Sequence, residues 1–529
     1  MHQAEIIVLL FAAVAVLAVV ACKLRLPYPI VLVISGLALS FVPRLPEVKL
    51  NPEIVFYFFL PALLYPAALF TSWRDFRRNL QQILLLAIGL VLVTTVTIAW
   101  IAHAIVPALP WAAAFALGAI VSPPDAIAAT AIIRRLGVPH RIEAILEGES
   151  LVNDATALVA LQFAIAALLT GSFSPGHAAI RFIWVVAGGV AFGLLVGLAM
   201  RWVQSHLDDP PIQITVSLLT PFVAYLPAER LHVSGVLATV AAGIFLGWHS
   251  PLIVTPRYRL QAFAFWEMVV FLLNGFIFIV IGLQLPGILH ALSGESLVGP
   301  IVTAIIISSA VVLVRIIWVI SATYLPRMLG VANSGRARNP IPRRQQAAIV
   351  AWSGMRGVVS LAAAFALPLT LSDGKSFPGR NYILFLTFSV ILTTLVLQGL
   401  SLPLLIRKLE ITHDGEADEE ERRARLEANK AAIELIGKLR ASGEVSPDTV
   451  DRLRVEYDER LEQLQLCAEN PDDCRGEIAT PQYQRLQREA LRVERQTIIR
   501  LRNERVINDD ALRRIQRDLD LAEARLTGS

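Results

Sequence analysis

The sequence predicts an all-α polytopic membrane protein, with about 13 membrane-spanning helices followed by a charged helical tail. Three observations support this fold class. The 529 residues are 55% hydrophobic with a mean hydropathy of +0.60, which is too apolar for a soluble protein of this length. The charge is uneven, since about 48 of the 90 Asp, Glu, Lys and Arg residues fall in 411–529. Two of the apolar segments are also interrupted at matching positions.

The chain divides by composition into a membrane domain at 1–410 and a water-facing helical tail at 411–529. The first apolar segment is interpreted as a retained helix, because no Lys or Arg precedes it whereas Lys23 and Arg25 follow it. The predicted spans are 5–22, 27–43, 52–70, 82–106, 111–133, 142–169, 178–201, 211–226, 232–249, 262–285, 299–325, 345–370 and 381–406.

The basic residues of the loops predict the orientation. About 16 Lys and Arg residues fall in the odd-numbered loops and about 5 in the even-numbered loops. Because basic loops stay in the cytoplasm, the odd loops are expected there. The N-terminus is then outside and the tail inside. The charges of the tail are of mixed sign without basic blocks, so we expect no nucleic-acid partner.

The fifth span contains a double proline, Pro123–Pro124. Two prolines remove two helical N–H donors, so the carbonyls of Ala119 and Ile120 lose their usual partners. Such a backbone is tolerated at membrane depth only where it is buried in protein or lines a wet cavity. Asp125 follows directly. We therefore expect a broken helix at a functional position.

The twelfth span is interrupted at "GMRG", where Gly354 and Gly357 flank Arg356. An arginine at the centre of a membrane helix costs roughly 2.5–3.5 kcal/mol, so it should face a partner or water. Each break lies in the fifth span of a six-span group, 1–6 or 8–13, with span 7 as the link. This pattern is typical of inverted-repeat secondary transporters, whose site lies where the broken helices meet.

The sixth span begins with "GESLVND", which carries two acids into an apolar helix. Ser150 and Asp154 are four residues apart and share one helix face, as do Glu149 and Asn153. Glu149 and Asp154 are roughly 140° apart by helical periodicity. The two acids therefore need not serve the same site.

We expect Arg356 to neutralise Glu149, which leaves Asp154 as the exchangeable acid with Asp125 nearby. A buried carboxylate can hold either a proton or a hard cation, and competition between them for one carboxylate is enough to produce exchange. The alternative is that Asp154 only forms a satisfied polar contact between helices. The candidate oxygen ligands are those of Asp125, Asp154, Ser150 and Asn153 and the freed carbonyls near Pro123.

Several motifs are similar to those of one transporter family. They are "FLPALLYPAAL" at 59–69, "SPPDAIA" at 122–128, "GESLVNDA" at 148–155, "AERLHVSGVLA" at 228–238, "NGFIFIVIGLQLP" at 274–286 and "GMRGVVSLA" at 354–362. With them, the chain resembles the monovalent cation/proton antiporters of the NhaP and NHE type, especially the long-tailed bacterial branch. The resemblance covers essentially all of 1–410, and the tail is similar too.

The resemblance implies a homodimer in the bacterial inner membrane that works by elevator-like alternating access and needs no cofactor. It implies that Asp154 carries ion and proton with Asn153 as its partner, and that exchange is electroneutral and one-for-one. The site would be completed by Asp125 and Ser150, and Glu149 with Arg356 would form a structural ion pair. Transported ions would be H⁺ and Na⁺, with Li⁺ or K⁺ as other candidates.

Two positions depart from the family pattern. Pro124 stands where relatives often carry Thr or another non-proline residue, so a possible hydroxyl ligand is absent. The third span lacks the acid that relatives usually carry near Pro66, and this departure bears on ion preference and pH dependence. Two alternatives stay open, a cation channel and a K⁺-preferring exchanger using the same polar site. An enzyme is not expected, because no metalloprotease, nucleophile-elbow or phosphate-loop motif is present.

Overall fold

The computed structural model describes residues 3–24, 26–41, 51–171, 174–290, 298–328, 344–371, 376–410, 416–442, 446–469 and 481–504, with five further residues between 515 and 522. It divides into two compact units, Met1–His413 and Asp414–Ser529. The assignment of a membrane domain and a cytoplasmic tail to these parts stays a prediction.

The first unit is built from helices throughout its described residues, apart from one isolated β-bridge. Its first nine helices are α1 Gln3–Leu24, α2 Tyr28–Leu39, α3 Pro52–Ile54, α4 Leu60–Phe70, α5 Trp73–Arg78, α6 Leu80–Leu84, α7 Val91–Ile105, α8 Trp111–Val121 and α9 Ala126–Arg135. The next ten are α10 His140–Thr170, α11 Pro175–Ser205, α12 Pro210–Arg230, α13 Gly235–Ile253, α14 Pro256–Leu283, α15 Leu285–His290, α16 Val298–Met328, α17 Arg344–Trp352, α18 Val358–Phe365 and α19 Arg380–Lys408. Two wider π-helical turns, Val55–Phe59 and Leu85–Leu90, join α3 to α4 and α6 to α7.

The polytopic membrane fold is confirmed. In the described residues, ten helical segments are long and apolar enough to cross a membrane. The first two predicted spans coincide with the shorter apolar helices α1 and α2, and the twelfth is divided between α17 and α18. The count of thirteen spans and the inverted repeat stay predictions.

Local sequence signals set several helix ends. Ser234 accepts a hydrogen bond from the Leu237 N–H at 3.2 Å and so caps α13. Gly171, at φ 69°, ends α10 in the left-handed conformation that glycine adopts without strain. Gly171 thereby sets the C-terminal end of α10, the long helix that carries Glu149 and Asp154.

The helices of the first unit pack as two groups. The frame bundle consists of α2, α4, α11, α12, α13 and α14, and the site bundle consists of α7, α8, α10, α16, α18 and α19. Glycines bring frame helices together, since a Cβ on Gly36 would lie 2.2 Å from the Ile279 carbonyl oxygen and one on Gly247 would lie 2.1 Å from that of Leu69. Small residues allow this close backbone approach in membrane helices.

The second unit is described by three helices, α20 Glu416–Ser442, α21 Pro447–Glu469 and α22 Pro481–Asn503. Helices α20 and α21 pack together, and the Asn429 side-chain amide donates to the Tyr457 carbonyl at 3.1 Å. In α22, Leu491 and Ile498 are buried with Leu519 from farther along the chain. These contacts use the three-to-four spacing of apolar residues in an otherwise charged sequence.

Candidate functional site

The fifth span is broken between α8 and α9. Neither Pro123 nor Pro124 can donate a backbone hydrogen bond, so the helix cannot continue. The Ser122 hydroxyl donates to the Ala119 carbonyl at 2.9 Å. That carbonyl is one of the two that lose an N–H partner to the prolines, and a neighbouring side chain replaces the missing donor.

The break in the fifth span crosses the break in the twelfth span, which lies between α17 and α18. In a continuous helix the Asp125 N–H would bond to the Val121 carbonyl. Here the Asp125 N–H donates to the Met355 carbonyl at 2.6 Å, and Arg356 Nε donates to the Val121 carbonyl at 3.1 Å. The Arg356 N–H in turn donates to the Thr394 hydroxyl at 3.1 Å. These three bonds satisfy backbone groups of each break through the other break or through α19.

The two glycines of the twelfth span make room for two different side chains. A Cβ on Gly357 would lie 1.8 Å from Asp125 Oδ2, and one on Gly354 would lie 2.4 Å from Arg315 Cδ. Neither distance is compatible with a side chain. Gly357 therefore leaves room for the Asp125 carboxylate at the crossing, and Gly354 leaves room for the Arg315 side chain.

A cavity of about 1100 Å³ reaches the crossing, and Asp125, Ser150 and Asp154 all line it. Asp125 also caps α9 by accepting a hydrogen bond from the Ile127 N–H at 2.8 Å. Asp154 is 7% exposed, and within the described residues no hydrogen-bond donor or cation contacts its carboxylate. Two carboxylates thus line the same cavity, and Asp154 has no paired cation among the described residues.

The role of Asn153 as a ligand beside Asp154 stays a prediction. The Asn153 side-chain amide donates to the Pro124 carbonyl at 2.8 Å, and the residue does not line the cavity. This bond also occupies one carbonyl of the broken segment. Ser360, which the sequence analysis missed, lines the cavity with a buried hydroxyl that has no hydrogen-bond partner in the described residues.

The predicted ion pair between Glu149 and Arg356 is wrong. Glu149 is 1% exposed and is bound by Arg315 through two hydrogen bonds, Nη1 to Oε1 at 2.6 Å and Nη2 to Oε2 at 2.8 Å. Arg315 Nε donates to the Val350 carbonyl at 3.2 Å, near the end of α17. Arg356 donates instead to the carbonyls of Val121 and Gly354.

The physical reason for the correction lies in the crossing. Carbonyls that have lost helical partners need donors, and Arg356 lies among them. Arg315 comes from the middle of the eleventh span, as a single charge in the apolar run "AVVLVRIIWVI". That isolation was a usable signal, because an arginine inside a membrane helix requires a partner.

The comparisons with known proteins agree on one family. The family model described as "Sodium/hydrogen exchanger, transmembrane" matches residues 7–408. An uncharacterised Na⁺/H⁺ exchanger of Mycobacterium tuberculosis is 37% identical over 527 residues, covering 98% of this chain and 96% of that protein. The uncharacterised Na⁺/H⁺ exchanger YjcE of Escherichia coli is 34% identical over 95% of this chain and 94% of its own length.

A further relative and a solved structure each match about three quarters of this chain. A Bacillus subtilis protein named as a sodium, potassium, lithium and rubidium/H⁺ antiporter is 35% identical over 72% of this chain and 58% of its own length. The fold matches that of the sodium proton antiporter MjNhaP1 from Methanocaldococcus jannaschii, with a TM-score of 0.57 at 20% identity, covering 77% of this chain and 98% of that chain. The chain therefore belongs to the sodium/hydrogen exchanger family, as a multi-pass cation/proton antiporter and not an enzyme.

Proposed function

We propose that the protein exchanges Na⁺ for H⁺, one-for-one, with Asp154 as the group that holds each in turn. One observation carries the proposal. Asp154 lines the cavity without a partner in the described residues, whereas the neighbouring acid Glu149 is neutralised by Arg315. A carboxylate locked in an ion pair could not alternate between ligands, so Asp154 is the acid of α10 that is suited to exchange.

The cation would be held by oxygens, the ligands that hard cations prefer. Asp154, Asp125 and Ser150 supply them from two elements, and Ser360 adds a hydroxyl from a third. Repulsion between the two carboxylates favours occupancy, because a cation or a proton relieves it. Release of one species therefore becomes coupled to binding of the other.

Electroneutral exchange is supported by the residue beside the carrier. Asn153 cannot take up a proton, and its amide is already engaged by the Pro124 carbonyl. With Asp154 as the only carrier, each cycle moves one positive charge in each direction. The membrane potential then does no net work on the cycle.

Alternating access is supported by the shape of the cavity. Its lining extends to Arg134, Glu147 and Arg407, which the basic-loop rule places at the cytoplasmic side. A second void, at Pro123, measures only about 10 Å³ and is otherwise lined by apolar side chains such as Leu161. These two cavities support a carrier open to one side over the channel alternative. Movement of the site bundle against the frame bundle of a homodimer would expose the site to the other side.

K⁺ or Li⁺ as an additional cation is favoured by one comparison, since the Bacillus subtilis relative is named for exchange of several alkali cations. A cavity with flexible hydroxyl ligands would accept more than one ion size. We propose Na⁺ as the principal cation and K⁺ preference as the second candidate.

The test is exchange in reconstituted vesicles. A preset pH gradient should collapse on addition of Na⁺ to wild type, at equal rates with and without an imposed membrane potential. Asp154→Asn should abolish exchange while leaving the melting temperature and elution profile unchanged. Asp209→Asn, an exposed loop acid that does not line the cavity, serves as the matched control and should exchange normally.

Exchange retained by Asp154→Asn would remove the carrier role. A rate that follows the membrane potential would contradict electroneutrality. Cation flux without proton movement would favour the channel, and a response to K⁺ but not to Na⁺ would favour the K⁺-preferring exchanger.

A further inference from the structure

Part of the cavity wall is formed by one face of α14, in the frame bundle. Its lining residues recur at helical spacing, with Phe263, Glu267, Phe271, Asn274 and Ile277 along one stripe. Most of this stripe is apolar. Glu267 and Asn274 are its two polar members, and neither is used by the proposed exchange mechanism.

Asn274 is 0% exposed, and neither its amide nitrogen nor its amide oxygen has a hydrogen-bond partner in the described residues. A buried carboxamide with both atoms unsatisfied is costly, and where such a group borders a cavity, a ligand from the cavity can satisfy it. Asn274 lies in the cavity wall, so the ligand it lacks would come from the cavity.

Glu267 lies two helical turns nearer the start of α14. It is exposed, lines the same cavity and makes no hydrogen bond or ion pair with the described part of the chain. Another acid of the lining, Glu147, accepts a hydrogen bond from Arg134 at 2.8 Å. An exposed acid without a neutralising partner attracts cations to the cavity.

The two walls carry the same spacing of polar groups. On α10, Glu147 precedes Asp154 by seven residues, and on α14, Glu267 precedes Asn274 by seven residues. Seven residues correspond to about 10.5 Å along a helix. Both helices begin at the side predicted to be cytoplasmic, so each wall places an acid nearer the mouth and an oxygen ligand deeper.

We propose that α14 provides the fixed half of the cation path, in which Glu267 attracts the monovalent cation and the Asn274 amide oxygen coordinates it as it loses water. This inference rests on the proposed function and identifies residues that determine cation affinity. An uncharged amide replaces part of the hydration shell without holding the cation as tightly as a carboxylate would. Binding that is favourable but weak lets an ion move on to the next ligand.

The test measures the half-saturating Na⁺ concentration and the maximal exchange rate separately, in vesicles at fixed pH. Asn274→Leu should raise the half-saturating concentration about fivefold to tenfold, with a maximal rate within about twofold of wild type. Asn274→Ser, which restores an oxygen, should recover part of the affinity. Gln398→Leu is the matched control, because Gln398 is also a buried amide with no partner in the described residues but does not line the cavity.

Glu267→Gln should raise the half-saturating concentration about threefold at low ionic strength. The effect should shrink when choline chloride is added, because salt screens exposed charges. Asp209→Asn is its control and should leave the value unchanged. A second readout is the rise in melting temperature caused by Na⁺, which Asn274→Leu should shift to higher Na⁺ concentration.

The inference is overturned if Asn274→Leu leaves the half-saturating concentration unchanged, or changes it no more than Gln398→Leu does. A purely structural role would lower the melting temperature without moving the Na⁺ dependence, and this outcome also overturns it. Failure of the proposed function looks different, because Asp154→Asn would then still exchange ions whatever Asn274 does.

Discussion

The ion pair between Glu149 and Arg315 yields the sharpest prediction, because each of its atoms is buried. The two hydrogen bonds of 2.6 and 2.8 Å join side chains that are 1% and 0% exposed. Arg315→Met keeps the apolar stem of the side chain but leaves the Glu149 carboxylate buried without its cation. Removing one partner of a buried pair costs about 3–5 kcal/mol, so the free energy of unfolding should fall by that amount.

A double-mutant cycle isolates the pair from the rest of the side chain. When Glu149→Gln is already present, Arg315→Met should cost less, because no carboxylate is left unpaired. The difference, a coupling energy of about 2–3 kcal/mol, is the expected result. The free energy of unfolding can be followed by SDS titration of the protein in mixed micelles.

The parallel cycle with Arg356 is the control that could refute the reasoning. Arg356→Met should also destabilise the protein, because the carbonyls of Val121 and Gly354 lose their donor. Its coupling to Glu149→Gln should nevertheless be clearly smaller than that of Arg315→Met, because no hydrogen bond joins Arg356 to Glu149 in the described residues. An equal or larger coupling at Arg356 than at Arg315 would show that the ion pair has been assigned to the wrong arginine.

Two further substitutions test the crossing. Gly357→Ala should abolish exchange, because the new Cβ would lie 1.8 Å from Asp125 Oδ2. The control Gly176→Ala should exchange normally, because no neighbouring atom lies within 4 Å of its added Cβ. Activity of Gly357→Ala near that of wild type would contradict the close approach of Asp125 to Gly357. Thr394→Val removes the acceptor of the buried Arg356 N–H and should lower the free energy of unfolding by about 1–3 kcal/mol, and an unchanged value would mean that the bond does not contribute.

Much of this arrangement could be predicted from the sequence because membrane helices are strongly constrained. Apolar length gave the spans, and the double proline and the two glycines marked the breaks. The four-residue spacing of Ser150 and Asp154 predicts one shared helix face, and both residues line the cavity. Each of these inferences depends on local geometry alone.

The rest depends on which helices become neighbours, which local patterns do not specify. Glu149 needed a cation, and both Arg315 and Arg356 lie within apolar spans. The choice between them follows from the packing of α10 against the end of α17 and from the carbonyls that need Arg356. Asn274 and Ser360 were missed for a related reason, since a single amide or hydroxyl is too common in membrane helices to indicate a site.

The hydrogen bond between Arg356 and the Val121 carbonyl joins residues 235 positions apart. During synthesis the first half of the chain is inserted long before the second half exists. Until then the broken fifth span lacks the donor and the acceptor that the twelfth span supplies. A partly synthesised chain is therefore expected to contain Asp125 and Asp154 without the assembled crossing, so under the proposed function it would not exchange ions before the last spans are in place.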